Sequence, residues 1–217
     1  MAVKKRTDII QAPMGETKVL LHTCCAPCSS AIIECMLQNG LTPVIYYCNP
    51  NIFPEEEYEI RKNECTRYAR SLGLEIVDAD YDHDFWLSQM KGLESEPERG
   101  GRCLKCFKIR LLRTAEYARD HGIKVITTTL ASSRWKSLDQ INEAGRWAVE
   151  ELQRRISAGC DTLKGTETAP PEIKVCWWDH NWRKGGLQER RLQIIKDYDF
   201  YNQQYCGCEF SMRSKDV

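Results

Sequence analysis

The chain has 217 residues with 31 basic and 31 acidic side chains, so its formal charge is zero; bulk positive charge cannot be its hold on a nucleic acid, and any RNA contact must come from local Lys and Arg. No apolar run is long enough to cross a bilayer, and the basic start from Met1 to Pro13 lacks the apolar stretch of a signal peptide, so the expected setting is cytoplasmic. Twelve cysteines are too few for a disulfide scaffold and many for a reduced compartment, which points to metal or redox chemistry.

Residues 1–17 read as a flexible N-terminal arm, and 18–217 as a single α/β catalytic domain with a Cys-rich C-terminal segment. Val19 to His22 is a short buried strand, followed by a cysteine-rich turn and a helical pattern (Ile32, Ile33, Met36, Leu37) that Asn39-Gly40 closes. Pro43 to Tyr47 is the second strand. Pro54 opens a charged helix from Glu55 to Ser71, stopped by Gly73, and Glu75 to Ala79 is the third strand. Glu94 to Arg102 is too rich in Glu, Pro and Gly for regular structure, and a helix from Leu104 to His121 follows. Lys124 to Thr128 is the fourth strand and Ser137 to Arg155 a long helix; Ala158 to Glu172 is a loop, and the C-terminal third reads as an appendage. Strands alternating with helices predict a doubly wound, mainly parallel sheet with a C-terminal helical and cysteine-containing appendage. Sites in such sheets lie at the carboxyl ends of strands, which is where the loop with Cys24, Cys25 and Cys28 falls.

Seven thiols fall in three short clusters: Cys24-Cys25-Ala26-Pro27-Cys28, Cys103-Leu104-Lys105-Cys106 and Cys206-Gly207-Cys208. Structural zinc sites pair two C-x-x-C knuckles, whereas this chain has one such pair, a vicinal pair and a C-x-C, so an iron–sulfur cluster fits better. The C-x-x-x-C-x-x-C run of radical chemistry on S-adenosylmethionine is absent, since Ala31 stands where the third thiol would be. The topology brings a strand-end loop and a helix start together, so Cys24, Cys25, Cys103 and Cys106 are the expected ligands of one [4Fe–4S] cluster. Cys28, Cys206 and Cys208 are then the second, catalytic element, either a redox-active Cys206/Cys208 dithiol or a site for an adjacent iron or zinc ion. Cys35, Cys48 and Cys65 read as core residues. No P-loop or G-x-G-x-x-G is present, so a separate electron-donor protein is the expected source of electrons.

Further motifs join these cysteines: His22-Thr23-Cys24-Cys25-Ala26-Pro27, Asn49-Pro50-Asn51-Ile52 with Glu57-Tyr58 and Arg61, Arg102-Cys103 with Cys106, Thr128-Thr129-Leu130 with Ser133 and Lys136, Arg183-Lys184-Gly185-Gly186, and Tyr201 with Gln203 and Tyr205-Cys206-Gly207-Cys208. Together they resemble the cobalamin-independent epoxyqueuosine reductase family of the QueH type. The resemblance implies a fold related to the ATP pyrophosphatase (HUP-like) type. It also implies removal of the epoxide oxygen from epoxyqueuosine at the wobble position of tRNA. Asn202 stands where Arg is expected before Gln203, and the segment from Gly159 to Pro171 is an unusual insert.

A wobble base presented outside the stack calls for aromatic platforms and edge contacts. Tyr46, Tyr58, Trp135, Trp182 and Tyr201 are candidates for the first, Asn49 and Asn51 for the second, and Lys136, Arg183 and Lys184 for phosphates; the plain alternative is core packing for the aromatics and solvated charge for the cations. Asp179, His180 and His22 are candidate proton carriers. The competing readings are a tRNA sulfur-transfer enzyme of the ATP pyrophosphatase class, which needs a phosphate loop that Cys24 to Ser30 does not resemble, and a non-enzymatic zinc-bound RNA module.

Overall fold

The structure is a computed structural model in which residues 9–158 and 173–212 are described. Its first strand, β1 (Lys18–Thr23), is buried at every position after Lys18, as the apolar run Val-Leu-Leu dictates for a strand covered on both faces. It pairs in parallel with β2 (Thr42–Tyr47) on one side and β4 (Val125–Thr128) on the other. β3 (Ile76–Asp78) and β5 (Cys176–Trp177) complete an all-parallel sheet of order β3-β2-β1-β4-β5.

Helix α1 (Ala26–Gln38) has Pro27 in its first turn, where a missing N–H costs nothing. In α2 (Glu55–Ser71) the first turn holds Glu55, Glu56 and Glu57, which complement the positive end of the helix dipole. α4 (Gly101–Asp120) and α5 (Leu138–Ser157) pack on each other and on β1, β4 and β5, while α1, α2 and α6 (Leu187–Asp197) cover the β1–β2–β3 side. A short helix, α3 (His83–Gln89), capped by the Asp82 side chain on the Phe85 amide, precedes the polar loop.

The C-terminal third is woven into the fold and does not hang as an appendage. β5 extends the sheet beyond β4, and the Trp178 amide donates to the Ile126 carbonyl at 2.9 Å. Trp178, Trp182, Leu187, Ile194 and Phe200 join the main core, and Arg190 of α6 grips Glu34 of α1 through two bonds of 2.7 and 2.6 Å. Several large apolar side chains so close together bury too much surface to be left outside. At Gly145 on α5, a β-carbon would stand 2.2 Å from the Trp177 indole, so only glycine admits β5 at this distance.

Residues 9–17 of the N-terminal arm also dock: Ile10 and Ala12 are buried, and Glu16 pairs with Lys124 at 2.8 Å. The insert from Gly159 to Pro171, with Cys160, lies outside the described residues, as do residues 1–8 of the arm. Among the described residues, no helix is long and apolar enough to cross a membrane.

Candidate active site

The strand order reverses between β1 and β4, which opens a crevice at their carboxyl ends. β1 runs into Cys24 and Cys25; β4 runs into a 3-10 turn, Thr129–Ser132. Cys25 is the N-cap of α1, in extended conformation, so the chain turns sharply into the helix and Cys28 falls in the first turn beside it. The sulfurs of Cys24, Cys25 and Cys28 consequently lie within 4.8 Å of one another, with Cys24 and Cys25 at 3.9 Å. Thr129 Oγ1 accepts from the Cys24 amide at 3.3 Å, and the Gln203 amide donates to Cys25 Sγ at 3.0 Å.

Three thiols this close cannot titrate independently. The Cys24 thiol is held well below its ordinary range, first by the hydrogen bonds from Cys25 and Cys28 and further by the Lys136 charge. Cys25 is pushed well up by burial, and Cys28 up to about 11, first by the hydrogen bond it shares with Cys24. Of the three, Cys24 is therefore the thiol whose ionised form the triad favours. It borders a cavity of about 690 Å³ that Cys103, Cys206 and Cys208 also line. Lys136 is half-buried there; burial opposes its charge, but Cys206, Cys24 and Cys28 outweigh that and raise its pKa.

The remaining cysteines form a second group. Cys103 and Cys106 are one turn apart on α4, and with Cys206 and Cys208 they line a side pocket of about 20 Å³ together with Trp86 and Arg110. Cys106 and Cys208 are buried against Trp86 and Met90. Burial raises the thiol pKa of Cys103, Cys106 and Cys208, the last to about 12. The C-x-C turn is pinned from α2 and the loop before it. Arg61, ion-paired with Glu57 at 2.6 Å, donates to the carbonyls of Cys206 and Tyr205 at 3.3 Å each, and the Phe53 amide donates to the Gly207 carbonyl at 2.8 Å. Cys28 thus stands beside Cys24 and Cys25, while Cys103 faces the same cavity as Cys24 and also lines the side pocket with Cys106, Cys206 and Cys208.

Other residues singled out from the sequence are placed as follows. Asn49 and Tyr58 spend their polar groups inside the protein, Asn49 on the Thr23 carbonyl and Arg110, Tyr58 on Asp78 and the Ala79 carbonyl. Asn51 lines the side pocket with its Oδ1 unpartnered. Tyr46 and Trp182 are core residues, and the Tyr201 hydroxyl, on a half-open ring, donates to Glu57 at 2.7 Å. Arg183 donates to the Lys136 carbonyl at 2.7 Å, and Lys184 is exposed. Trp135 is exposed at the cavity mouth.

His22 is fully buried between Thr128 Oγ1 and the Cys48 carbonyl, and burial followed by the Arg110 charge lowers its pKa to about 3. It is a neutral structural imidazole with Nε2 as donor. Asp179 and His180 do not line the cavity. Cys35, Cys48 and Cys65 are buried, as expected.

Arg110 escaped the sequence reading. It is 2 % exposed, contacts Cys106 Sγ at 4.0 Å and the Cys48 carbonyl at 3.2 Å, and keeps its charge against burial through Cys106, Cys24 and Cys206. Its only signal is its place one helical turn beyond Cys106.

The family described as epoxyqueuosine reductase QueH matches residues 19–214. The epoxyqueuosine reductase QueH of Haemophilus influenzae is 43% identical over 207 residues, which cover 95% of this chain and 76% of the relative. That of Acinetobacter baylyi is 42% identical over 204 residues, 94% of this chain and 84% of the relative. That of Thermotoga maritima is 29% identical over 197 residues, 89% of this chain and 90% of the relative. With its sheet, its switch-point cysteines and a match across nearly all of its length, the chain belongs to the epoxyqueuosine reductase QueH family.

Proposed function

We propose that this chain reduces epoxyqueuosine in tRNA to queuosine. The observation that carries the reading is the convergence of three cysteine sulfurs within 4.8 Å at the carboxyl end of β1, in a cavity that further cysteines border. The net reaction breaks both C–O bonds of the epoxide, forms a C=C bond and releases the oxygen as water, consuming two protons and two electrons. A separate electron-donor protein supplies the electrons.

An all-sulfur donor set suits an iron–sulfur group. Cys24 and Cys25 would hold a [4Fe–4S] cluster, completed either by Cys103 and Cys106 or, as the convergence of the three sulfurs suggests, by Cys28. Cys206 and Cys208, with Cys103 and Cys106 beside them in the side pocket, would form the second element, either a redox-active Cys206/Cys208 dithiol or, with Cys28, ligands of an adjacent iron or zinc ion. Bound there, such a group would supply electron transfer. The protein's own part is positional and electrostatic. Gln203 fixes the Cys25 sulfur, Arg61 fixes the C-x-C turn, and the Lys136 ammonium, held protonated, stands where negative charge on a departing oxygen would gather. His22, neutral and enclosed, holds β1 to β4 and gives no proton to the cavity. A tRNA substrate supports a cytoplasmic setting, and the reversal of strand order at the site is compatible with a relation to the ATP pyrophosphatase type.

Anaerobic incubation with epoxyqueuosine-containing tRNA and a reductant, followed by nucleoside analysis, tests the proposal: queuosine should appear in step with loss of epoxyqueuosine. An unchanged nucleoside with a fully iron-loaded protein overturns it, and a colourless zinc protein that binds RNA without converting it favours a binding module.

A further inference from the structure

The cavity mouth carries a large aromatic side chain that the fold does not use. Trp135 is 77% exposed and makes no ring or cation contact among the described residues. Its backbone, in contrast, is tightly held. Three successive carbonyls accept from arginines: Arg134 and Trp135 from Arg99, at 3.1 and 2.8 Å, and Lys136 from Arg183, at 2.7 Å. Arg99 is itself fixed from behind by Gln140, which donates to its carbonyl at 2.8 Å, and it sits at φ +67°, a conformation that non-glycine residues rarely adopt. Two loops are therefore locked together in a way that leaves an indole ring in solvent.

The surroundings say what the ring faces. Arg99, Arg102, Arg134, Lys136 and Arg191 all line the cavity, and none is ion-paired with a carboxylate among the described residues; the single acidic residue of the lining is Glu98. In a chain of zero net charge, this is a local positive field around an exposed aromatic. Such a pairing of cations with a stacking face suits an unpaired nucleobase and its flanking phosphates.

We propose that Trp135 is the platform on which a nucleobase adjoining the modified nucleoside stacks, while Arg99 and Arg183 act as positioning residues that hold the ring at the mouth. The inference rests on the reading of the substrate as tRNA. It accounts for how one nucleoside can enter the cavity while its neighbour is kept outside, a separation that a smooth rim would not enforce.

The test uses an anticodon stem-loop RNA carrying epoxyqueuosine, and two versions in which the nucleotide before or after it is abasic. The proteins are wild type, Trp135→Ala and Trp135→Phe, each checked by circular dichroism. Trp135→Ala should weaken binding of the intact loop on the order of tenfold, and Trp135→Phe should retain most of the affinity. One abasic loop should bind wild type more weakly yet lose nothing further on Trp135→Ala. Equal affinity of wild type and Trp135→Ala for the intact loop overturns the proposal. So does a defect confined to turnover with a protein reductant and absent with dithionite, which would assign the ring to a protein partner. Queuosine formation by wild type is scored separately: its absence, with Trp135-dependent binding intact, removes the reductase reading and leaves the platform standing.

Discussion

Cys28 occupies the first turn of α1 next to the N-cap Cys25, and this placement puts its sulfur with those of Cys24 and Cys25. Cys24→Ser, Cys25→Ser and Cys28→Ser should each abolish most of the same visible absorption in anaerobically prepared protein, whereas Cys106→Ser should leave it and change the content of a second metal. Retention of the spectrum in Cys28→Ser with its loss in Cys103→Ser would return the assignment to Cys24, Cys25, Cys103 and Cys106. The clustering of seven thiols was plain in the sequence, because spacing is a one-dimensional property. The placing of Cys28 beside Cys24 and Cys25 was not, since it depends on how sharply the chain turns from β1 into α1. A second residue-scale prediction concerns Gly207, at φ +110°, where a β-carbon would stand 2.9 Å from Ile52 and 3.1 Å from Arg61. Gly207→Ala should displace Cys206 and Cys208 and lower deoxygenation at least tenfold, the threshold that about 1.4 kcal/mol of lost positioning already reaches. Nucleoside analysis checks it, with the Cys24-centred absorption expected to persist.

Among the elements, the four strands and four helices foreseen from the sequence are those with strong local signals. α2 begins at an acidic turn after Pro54 and ends before Gly73, and β1 is an uninterrupted apolar run. The elements not foreseen have no such signal. β5 is two residues long and exists because β4 offers it an edge; α3 has seven residues; α6 has few apolar positions, and its place is set by contact with α1. The α5–β5 contact at Gly145 gives this level its prediction. Gly145→Ala should push the Trp177 indole away and destabilise the fold by about 1–3 kcal/mol, in the range of overpacked cores, despite alanine's better helix propensity. Denaturant unfolding measures it, and the double variant Gly145→Ala/Trp177→Leu should recover part of the loss.

At the scale of the whole molecule, zero net charge and a cation-lined cavity together set how binding responds to salt. With five lining cations that form no ion pair with a carboxylate among the described residues, the slope of log affinity against log salt should not exceed about 3 to 4 in magnitude, taking roughly 0.7 per neutralised phosphate of a single strand. A titration between low and physiological salt gives the slope, and Arg134→Gln should reduce it by somewhat less than one. The cavity also has a history built into its connectivity. Gln203 reaches Cys25 across 178 positions of the chain, and Arg61 reaches Cys206 across 145. Loops of that length close late and only on a nearly finished fold. Until then the seven thiols stand in three separate short clusters, so a metal offered to a half-folded chain meets a partial, local chelate and one offered to the finished chain meets the assembled site. A bound group that takes ligands from more than one of these segments would also be a clasp on the entire fold: its binding energy would be added to global stability, and its removal should loosen the molecule as one unit.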